Sequence, residues 1–316
     1  MSKDPFISIC IPAYRRVDYL ERLLESITAQ TYRDFEVVLT DDSPDDSVAT
    51  LVQRFAGRLP LRYFHHSVPF GTPENWNEGI RLAKGQWIKV MHDDDWFSTA
   101  ESLDGFAQAV QSDPSADFFF SAYVNVYEGS GERKEVRTKR ARLRMLRRNP
   151  WVLLGDNMVG NPSCTLFRKE GWALFDREFK WVVDFEFYIR YLRRRPRFSY
   201  IDRPLVCVGM NSSQVTNYTF WNVSVQIQEN HSMLIKDGVE ALRNPVVYDY
   251  FWRLYRKFSI RSGEAVREAG YAGPLPGPLA SMIRWQARIP RSMLKAGPVS
   301  KVLVGLHYLT HLWTPL

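Results

Sequence analysis

Short apolar runs alternate with helical patterns over the first 110 residues, and this rhythm constrains the fold more than any other feature of the chain. Phe6-Ile-Ser-Ile-Cys-Ile11 is nearly continuous in apolar character, as a strand buried on both faces should be. After a Pro-containing loop, Asp18 and Glu21 form a capping-box pair, and Leu20, Leu23, Leu24 and Ile27 recur at helical spacing. Phe35 to Leu39 reads as a second strand, ending in Thr40-Asp-Asp-Ser-Pro-Asp-Asp46. Val48 to Phe55 is helical in pattern and Leu61 to Phe64 strand-like. Thr72 as N-cap and Pro73 at the first helical position open another helix, which Gly85 closes. Trp87 to Met91 is the next strand and runs straight into His92-Asp-Asp-Asp95. The expected fold class is therefore α/β, a parallel sheet wound with helices.

Beyond residue 110 the pattern loosens. Ala116 to Val126 reads as one or two strands, and Gly160-Asn-Pro-Ser-Cys-Thr165 as a loop leading to another. Phe185 to Leu192 is helical, Phe198 to Val208 extended, and 220–260 helical and rich in aromatics. Gly270 to Pro278 reads as a linker. With 45% apolar and 24% charged residues, the chain is neither disordered, collagen-like nor disulfide-stapled. Three dispersed cysteines with no C-x-x-C pair indicate no zinc site and a reducing, cytoplasmic setting. Phe6 to Ile11 is too short for a signal segment, and no stretch is long and apolar enough for a spanning helix.

The formal charge of +7 is concentrated. Residues 132–148 carry a net +7 and the acid-free stretch 269–316 a net +5, leaving the remainder at −5. Basic runs attract polyanions or anionic membranes; the plainer reading of 132–148 is a solvated face. No nucleic-acid partner is expected.

In an open parallel sheet, ligands bind beyond the carboxyl ends of the strands. Here those loops carry Pro12-Ala13-Tyr14, Asp41-Asp42-Ser43 and His92-Asp93-Asp94-Asp95. So many carboxylates on one rim are costly unless something positive sits among them. A magnesium or manganese ion sharing its shell with a phosphate ligand meets that need. Asp45 and Asp46 read instead as turn formers or caps.

The ordered set Ile9-Cys-Ile-Pro-Ala-Tyr14, Val37-Val-Leu-Thr-Asp-Asp-Ser43, Asn77-Glu-Gly-Ile80 with Ala83-Lys-Gly85, and His92-Asp-Asp-Asp95 resembles the family 2 inverting glycosyltransferases of the GT-A fold. The resemblance implies a Rossmann-like, mostly parallel sheet flanked by helices. It covers 1–125 well and 150–216 more loosely. The expected domains are a glycosyltransferase domain at 1–216 (a nucleotide-sugar half to 125, an acceptor half after it), a helical extension at 217–268 and a basic amphipathic tail at 269–316.

By the same resemblance, a nucleotide-sugar donor, most often a UDP-sugar, binds at this rim. Pro12, Ala13 and Tyr14 would flank the base, Asp42 would bond it, and Asn77 and His92 would touch the donor. Asp93 would face the ribose or sugar, and Asp94 would hold the metal. His92 stands where the first Asp of the family's D-x-D signature often stands, and Trp76 where relatives frequently have Arg. Asp184 would be the general base, with Glu186 as its rival or an acceptor contact, and Asn161, Pro162 and Ser163 the acceptor-side loop. A base at a helix start would have its pKa lowered by the dipole. Asn211 stands where His is often found, in the stretch 211–216. Histidines 65, 66, 231, 307 and 311 read as surface or packing residues.

The expected activity is non-processive, metal-assisted transfer of a sugar to a hydroxyl of a glycan or lipid-linked acceptor. A processive synthase does not fit, since spanning helices and a Q-x-x-R-W motif are absent from the sequence. The alternatives are a catalytically degenerate scaffold and, behind it, a sugar nucleotidyltransferase, which would want a Gly-rich loop after the first strand. In the tail, apolar residues at 299, 302, 303, 306, 309 and 313 form one helical stripe. With the basic residues before it, the segment 280–316 suits a helix on an anionic membrane, peripheral at its inner face; the alternative is packing on the body.

Overall fold

The computed structural model describes residues 4–211 and 219–311. The chain divides into two compact units, one of residues 1–147 and 158–212, the other of 148–157 and 213–316. The 217–268 extension and the 269–316 tail thus fall in one unit, together with 148–157 from the expected acceptor half.

The first unit is built on β1 (Ile7–Ala13), β2 (Phe35–Asp41), β3 (Leu61–His65) and β4 (Trp87–Val90), which are parallel and ordered β3-β2-β1-β4. All seven residues of β2 are buried, because helices cover both faces of the sheet and no position is left for water. Between these strands run α1 (Val17–Thr28), α2 (Ser47–Gln53) and α3 (Glu74–Leu82). α1 buries Leu20, Leu23, Leu24 and Ile27, the stripe its spacing predicts. Its cap differs from expectation: the N-cap is Arg16, without a side-chain bond, and Asp18 lies inside the first turn. α3 likewise starts one residue later than expected, with Pro73 at its cap, and ends at Ala83 ahead of Gly85.

The sheet continues through β8 (Thr165–Arg168), β6 (Phe118–Tyr127) and β9 (Phe198–Met210) to β5 (Trp96–Phe97). This half is mixed: β8 is antiparallel to β4 and β6, whereas β6 and β9 run parallel. α4 (Ser102–Ser112) and α6 (Val183–Arg194) flank it. The basic 132–148 segment folds as β7 (Arg133–Val136), paired with β6, and α5 (Arg140–Arg148), which buries only Leu143 and Leu146.

The second unit is helical: α7 (Val223–Asp237), α8 (Pro245–Phe258), α9 (Gly263–Glu268), α10 (Gly277–Arg288), α11 (Arg291–Lys295) and α12 (Gly297–His311), with a 3-10 segment at Pro150–Leu154. Asn222, Asn244 and Ser262 cap α7, α8 and α9 with their side chains. The aromatics of 220–260 form its core: Tyr248, Phe251, Trp252 and Tyr255 are each 2% exposed or less. His231 is buried among them, with Nδ1 and Nε2 bonded to the Ile227 carbonyl and the Tyr255 hydroxyl.

Candidate active site

The parallel strands end together at one edge of the sheet, where the Asp42 amide bonds the Ala13 carbonyl and the Met91 amide the Cys10 carbonyl. At the β2 end, Asp42 is 3% exposed and both its oxygens are engaged. Oδ1 lies 2.8 Å from His66 Nδ1, and Oδ2 accepts from the Gly71 amide at 2.7 Å. The His66 ring stacks on Phe70 at 4.1 Å. His66, read as a surface or packing histidine, thus packs at the rim against Phe70 and Asp42. The signal is the parallel register: Asp41 pairs with His65, so the next residue of each strand also lies side by side. Tyr14 stands half-exposed beyond β1.

Asn77 is engaged elsewhere. Its amide bonds the Phe175 backbone in both directions, at 2.8 and 2.7 Å, and Glu74 at 3.0 Å. The asparagine that reaches the strand ends is Asn75, whose Nδ2 donates to Thr40 and Ala13 carbonyls while its buried Oδ1 has no partner.

The acidic loop after β4 is held by cations of the chain itself. Arg16 donates to both oxygens of Asp93, at 2.5 and 3.1 Å, and to Asp94 Oδ2 at 3.1 Å. Asn211 Nδ2 bonds the same Asp94 oxygen at 3.0 Å; the rest of the 211–216 stretch lies outside the described residues. Arg22 donates to the Asp94 carbonyl at 3.0 Å and stacks on Trp96. Asp95, fully buried, accepts from Asn161 Nδ2 at 2.7 Å and from the Gly209 amide at 3.2 Å. Position 209 tolerates no side chain, since a Cβ there would stand 2.4 Å from the Asp94 carbonyl oxygen. Burial pushes the Asp93 and Asp95 carboxyls well above the usual range, with Arg16 opposing it at Asp93 and the Asp94 charge adding to it at both. Beneath the loop, Lys89 is fully buried, bonds the Ser163 carbonyl, and is driven by burial down to about 7.

His92 packs on Trp76, 4.6 Å between ring centroids, and its Nε2 is buried without a hydrogen-bond partner. Burial lowers its pKa, so the ring is neutral and carries an unused nitrogen. Ligand atoms of His92, Asp94 and Asp95 lie within 4.8 Å of one another. One imidazole nitrogen and two carboxylate oxygens are a donor set that fits a divalent cation, and His92 keeps a ring nitrogen without a protein partner.

On the far side, Ser163 Oγ accepts from the His92 amide at 2.9 Å and Pro162 is buried, so Asn161 and Ser163 brace the acidic loop from behind. The brace turns at Gly160, whose φ of +94° and neighbours Cys164 and Tyr123 at 3.0 Å favour glycine. Tyr188 of α6 donates to the Gly160 carbonyl at 3.2 Å and so ties this loop to Asp184, one turn earlier. Asp184 lies in the first turn of α6, with Oδ1 buried and unpartnered. Burial alone pushes its carboxyl up to about 7. This is the reverse of the expected direction, and its cause is the loss of water around the carboxyl. Glu186, 1% exposed, is spent on a two-point ion pair with Arg190, which also bonds the carbonyls of Trp172 and Leu174.

A mostly parallel sheet flanked by helices, with Asp42, the 92–95 loop and Asp184 all on the one unit, is the GT-A arrangement. The solved structures agree on the fold. S. aureus TarS 1–349 in complex with UDP matches with a TM-score of 0.60 and 17% identity, over 98% of this chain and 93% of that one. Mannosyltransferase PcManGT from Pyrobaculum calidifontis, in complex with GDP-Man and Mn2+, matches at 0.55 and 17%, over 100% and 89%. A family model, Glycosyl transferase family 2, matches residues 8–173, more than half of the chain. The chain belongs to glycosyl transferase family 2. Among curated relatives, the putative colanic acid biosynthesis glycosyl transferase WcaA of Escherichia coli is 27% identical over 60% of this chain and 67% of its own length. Glycosyltransferase GlyG of Streptococcus pneumoniae is 30% identical over 40% and 41%. A Haemophilus influenzae glycosyltransferase is 32% identical over 36% and 37%, so the chain spans only about a third to two thirds of these relatives.

Proposed function

We propose that this chain is an inverting, non-processive glycosyltransferase that moves a sugar from a nucleotide-sugar, a UDP-sugar in the first instance, to a hydroxyl of a glycan or lipid-linked acceptor. The observation that carries the reading is Asp184: a partly exposed carboxylate with one oxygen buried and unused, linked through the 160–164 loop to the acidic loop. The acceptor oxygen attacks the anomeric carbon as its proton passes to Asp184, and the bond from that carbon to the diphosphate breaks on the opposite face. A carboxyl that burial pushes up to about 7 is suited to this task at neutral pH. Asp42 and His66 read the base between Tyr14 and the 66–71 loop, and Asp93 orients the ribose or sugar. His92, Asp94 and Asp95 would hold a magnesium or manganese ion. When bound, that cation supplies charge for the leaving diphosphate. The proposed setting is the cytoplasmic side of a membrane; no helix among the described residues is long and apolar enough to cross one.

The second reading, a binding protein with a degenerate site, is favoured by one observation: Arg16 and Asn211 already occupy Asp94. Release of nucleoside diphosphate from a panel of nucleotide sugars, with and without manganese, separates the two. Turnover that needs the cation and vanishes in Asp94→Asn and Asp184→Asn is expected. Donor binding without turnover establishes the scaffold, and a fully active Asp184→Asn moves the base elsewhere.

A further inference from the structure

α12 is amphipathic the wrong way round for a helix that meets only water. The face it turns to α8 and α10 is largely polar: Ser300, Val304 and His307 are 6% exposed or less. Each polar group there is matched. Ser300 Oγ accepts from Trp252 Nε1 at 3.0 Å and Arg256 at 2.8 Å, and His307 lies between the hydroxyls of Tyr248 and Ser281. The opposite face carries Val299, Val302, Leu306 and Leu309, which are 38%, 63%, 52% and 61% exposed. Their spacing of three, four and three residues stacks them into one stripe along the helix. Aliphatic side chains in such a row are held in water only at a cost, so the stripe is built for a partner.

The charge carried by the same stretch of chain selects that partner. From Ala269 onward the sequence has no Asp or Glu, and Arg284, Arg288, Arg291 and Lys295 are all exposed. On α11, the helix before the stripe, Met293 is 44% exposed between Arg291 and Lys295, which repeats the combination of apolar and basic groups in miniature. Lys301 is the exception, paired with Asp249 at 2.7 Å. A second copy of the chain would bring an equally basic rim against this one in any symmetric contact. A surface that is apolar below and anionic above accepts both features at once.

We infer that the Val299–Val302–Leu306–Leu309 face of α12 lies in the interface of an anionic phospholipid bilayer, with the basic residues of α10 and α11 on its head groups. The inference deepens the proposed membrane-side setting and does not depend on the transferase chemistry. It lays α12 parallel to the membrane surface. Trp313, which extends the stripe in the sequence, lies outside the described residues.

The test is co-flotation of the full chain with vesicles of phosphatidylcholine alone or mixed with phosphatidylglycerol. The wild type is expected to float with the mixed vesicles and not the neutral ones, less so in high salt. Val302→Ser/Leu306→Ser/Leu309→Ser and, separately, Arg288→Gln/Arg291→Gln/Lys295→Gln are expected to cut partitioning about tenfold or more, with circular dichroism and donor turnover in solution unchanged. Flotation equal on both vesicle types, or none on either, overturns the inference. So does a wild-type dimer that the triple serine variant converts to monomers while vesicles go unbound, because the stripe would then belong to a second copy. Vesicle binding in a chain that turns over no donor leaves the inference standing and removes only the transferase reading.

Discussion

Asp184→Asn separates the catalytic demand on this carboxylate from its cost to the fold. Burial raises the Asp184 carboxyl from its ordinary 3.8 to about 7, so between those values the folded chain holds a proton that the unfolded chain has released. Stability therefore falls as pH rises through this window, and above about 7 the whole penalty is present. At 1.36 kcal/mol per pH unit the ceiling is about 4 kcal/mol, and the partial exposure of the residue reduces this to about 1–2 kcal/mol. Asparagine keeps the shape and cannot ionise. The variant is thus expected to melt roughly 2–8 °C above the wild type at pH 8, with the gap nearly closed at pH 4. Its turnover should fall by about 10²–10⁴, the range for a lost general base, while its affinity for the donor stays the same. Thermal melts of both proteins across pH, paired with donor titrations, test this. A variant that melts lower than the wild type at pH 8 refutes the argument, because it would mean the ionised carboxylate is a stabilising partner of something in the fold.

The remaining expectations concern the groups around it. Glu186→Gln should lower the melting temperature, since breaking a buried ion pair costs about 3–5 kcal/mol, yet leave the acceptor KM unchanged; a raised KM with normal stability would restore Glu186 to the acceptor site. Gly209→Ala should abolish manganese binding, measured by calorimetry, because the new Cβ displaces the Asp94 backbone. Arg16→Ala should lower the stability of the metal-free protein and enlarge the thermal stabilisation manganese confers, as Asp93 and Asp94 lose their resident cation. His66→Ala should weaken donor binding about tenfold, read by titration with the free nucleoside diphosphate, if the ring orients Asp42 for the base.

What the sequence made legible follows from how sheets are built. Apolar runs give the parallel strands, and the ends of those strands give the rim, so Asp42 and the 92–95 loop are readable from spacing alone. Glu186, read as a rival base or acceptor contact, pairs instead with Arg190 four residues on, at the spacing that brings two side chains together on a helix. His66 depends on the register between β2 and β3, and Asn75 on which face of α3 meets the strand ends. Neither is visible in a single strand's periodicity. The affiliation of 148–157 with the helical unit and the burial of Asp184 are tertiary facts of the same kind, and the second reverses a pKa direction that the helix position alone would give.

The charges at the rim show why the chain supplies Arg16 and why that residue is insufficient for the proposed reaction. Asp93, Asp94 and Asp95 crowd one loop, with a single guanidinium spanning the first two and Lys89 pushed towards neutrality below. The raised Asp93 and Asp95 carboxyls express the same strain: some of the negative charge at this loop is relieved by protons. A diphosphate approaching this edge adds further negative charge at short range, where water screens poorly. Arg16 is taken up by two carboxylates of the loop and Arg22 by the Asp94 carbonyl and Trp96, so neither is free to balance the ligand as well. On the proposed reading the donor therefore enters with a divalent cation, toward which His92 would offer its unpartnered nitrogen. Donor affinity should therefore rise steeply with manganese in the wild type and much less in His92→Ala, and equal manganese dependence in the two would remove His92 from the cation site.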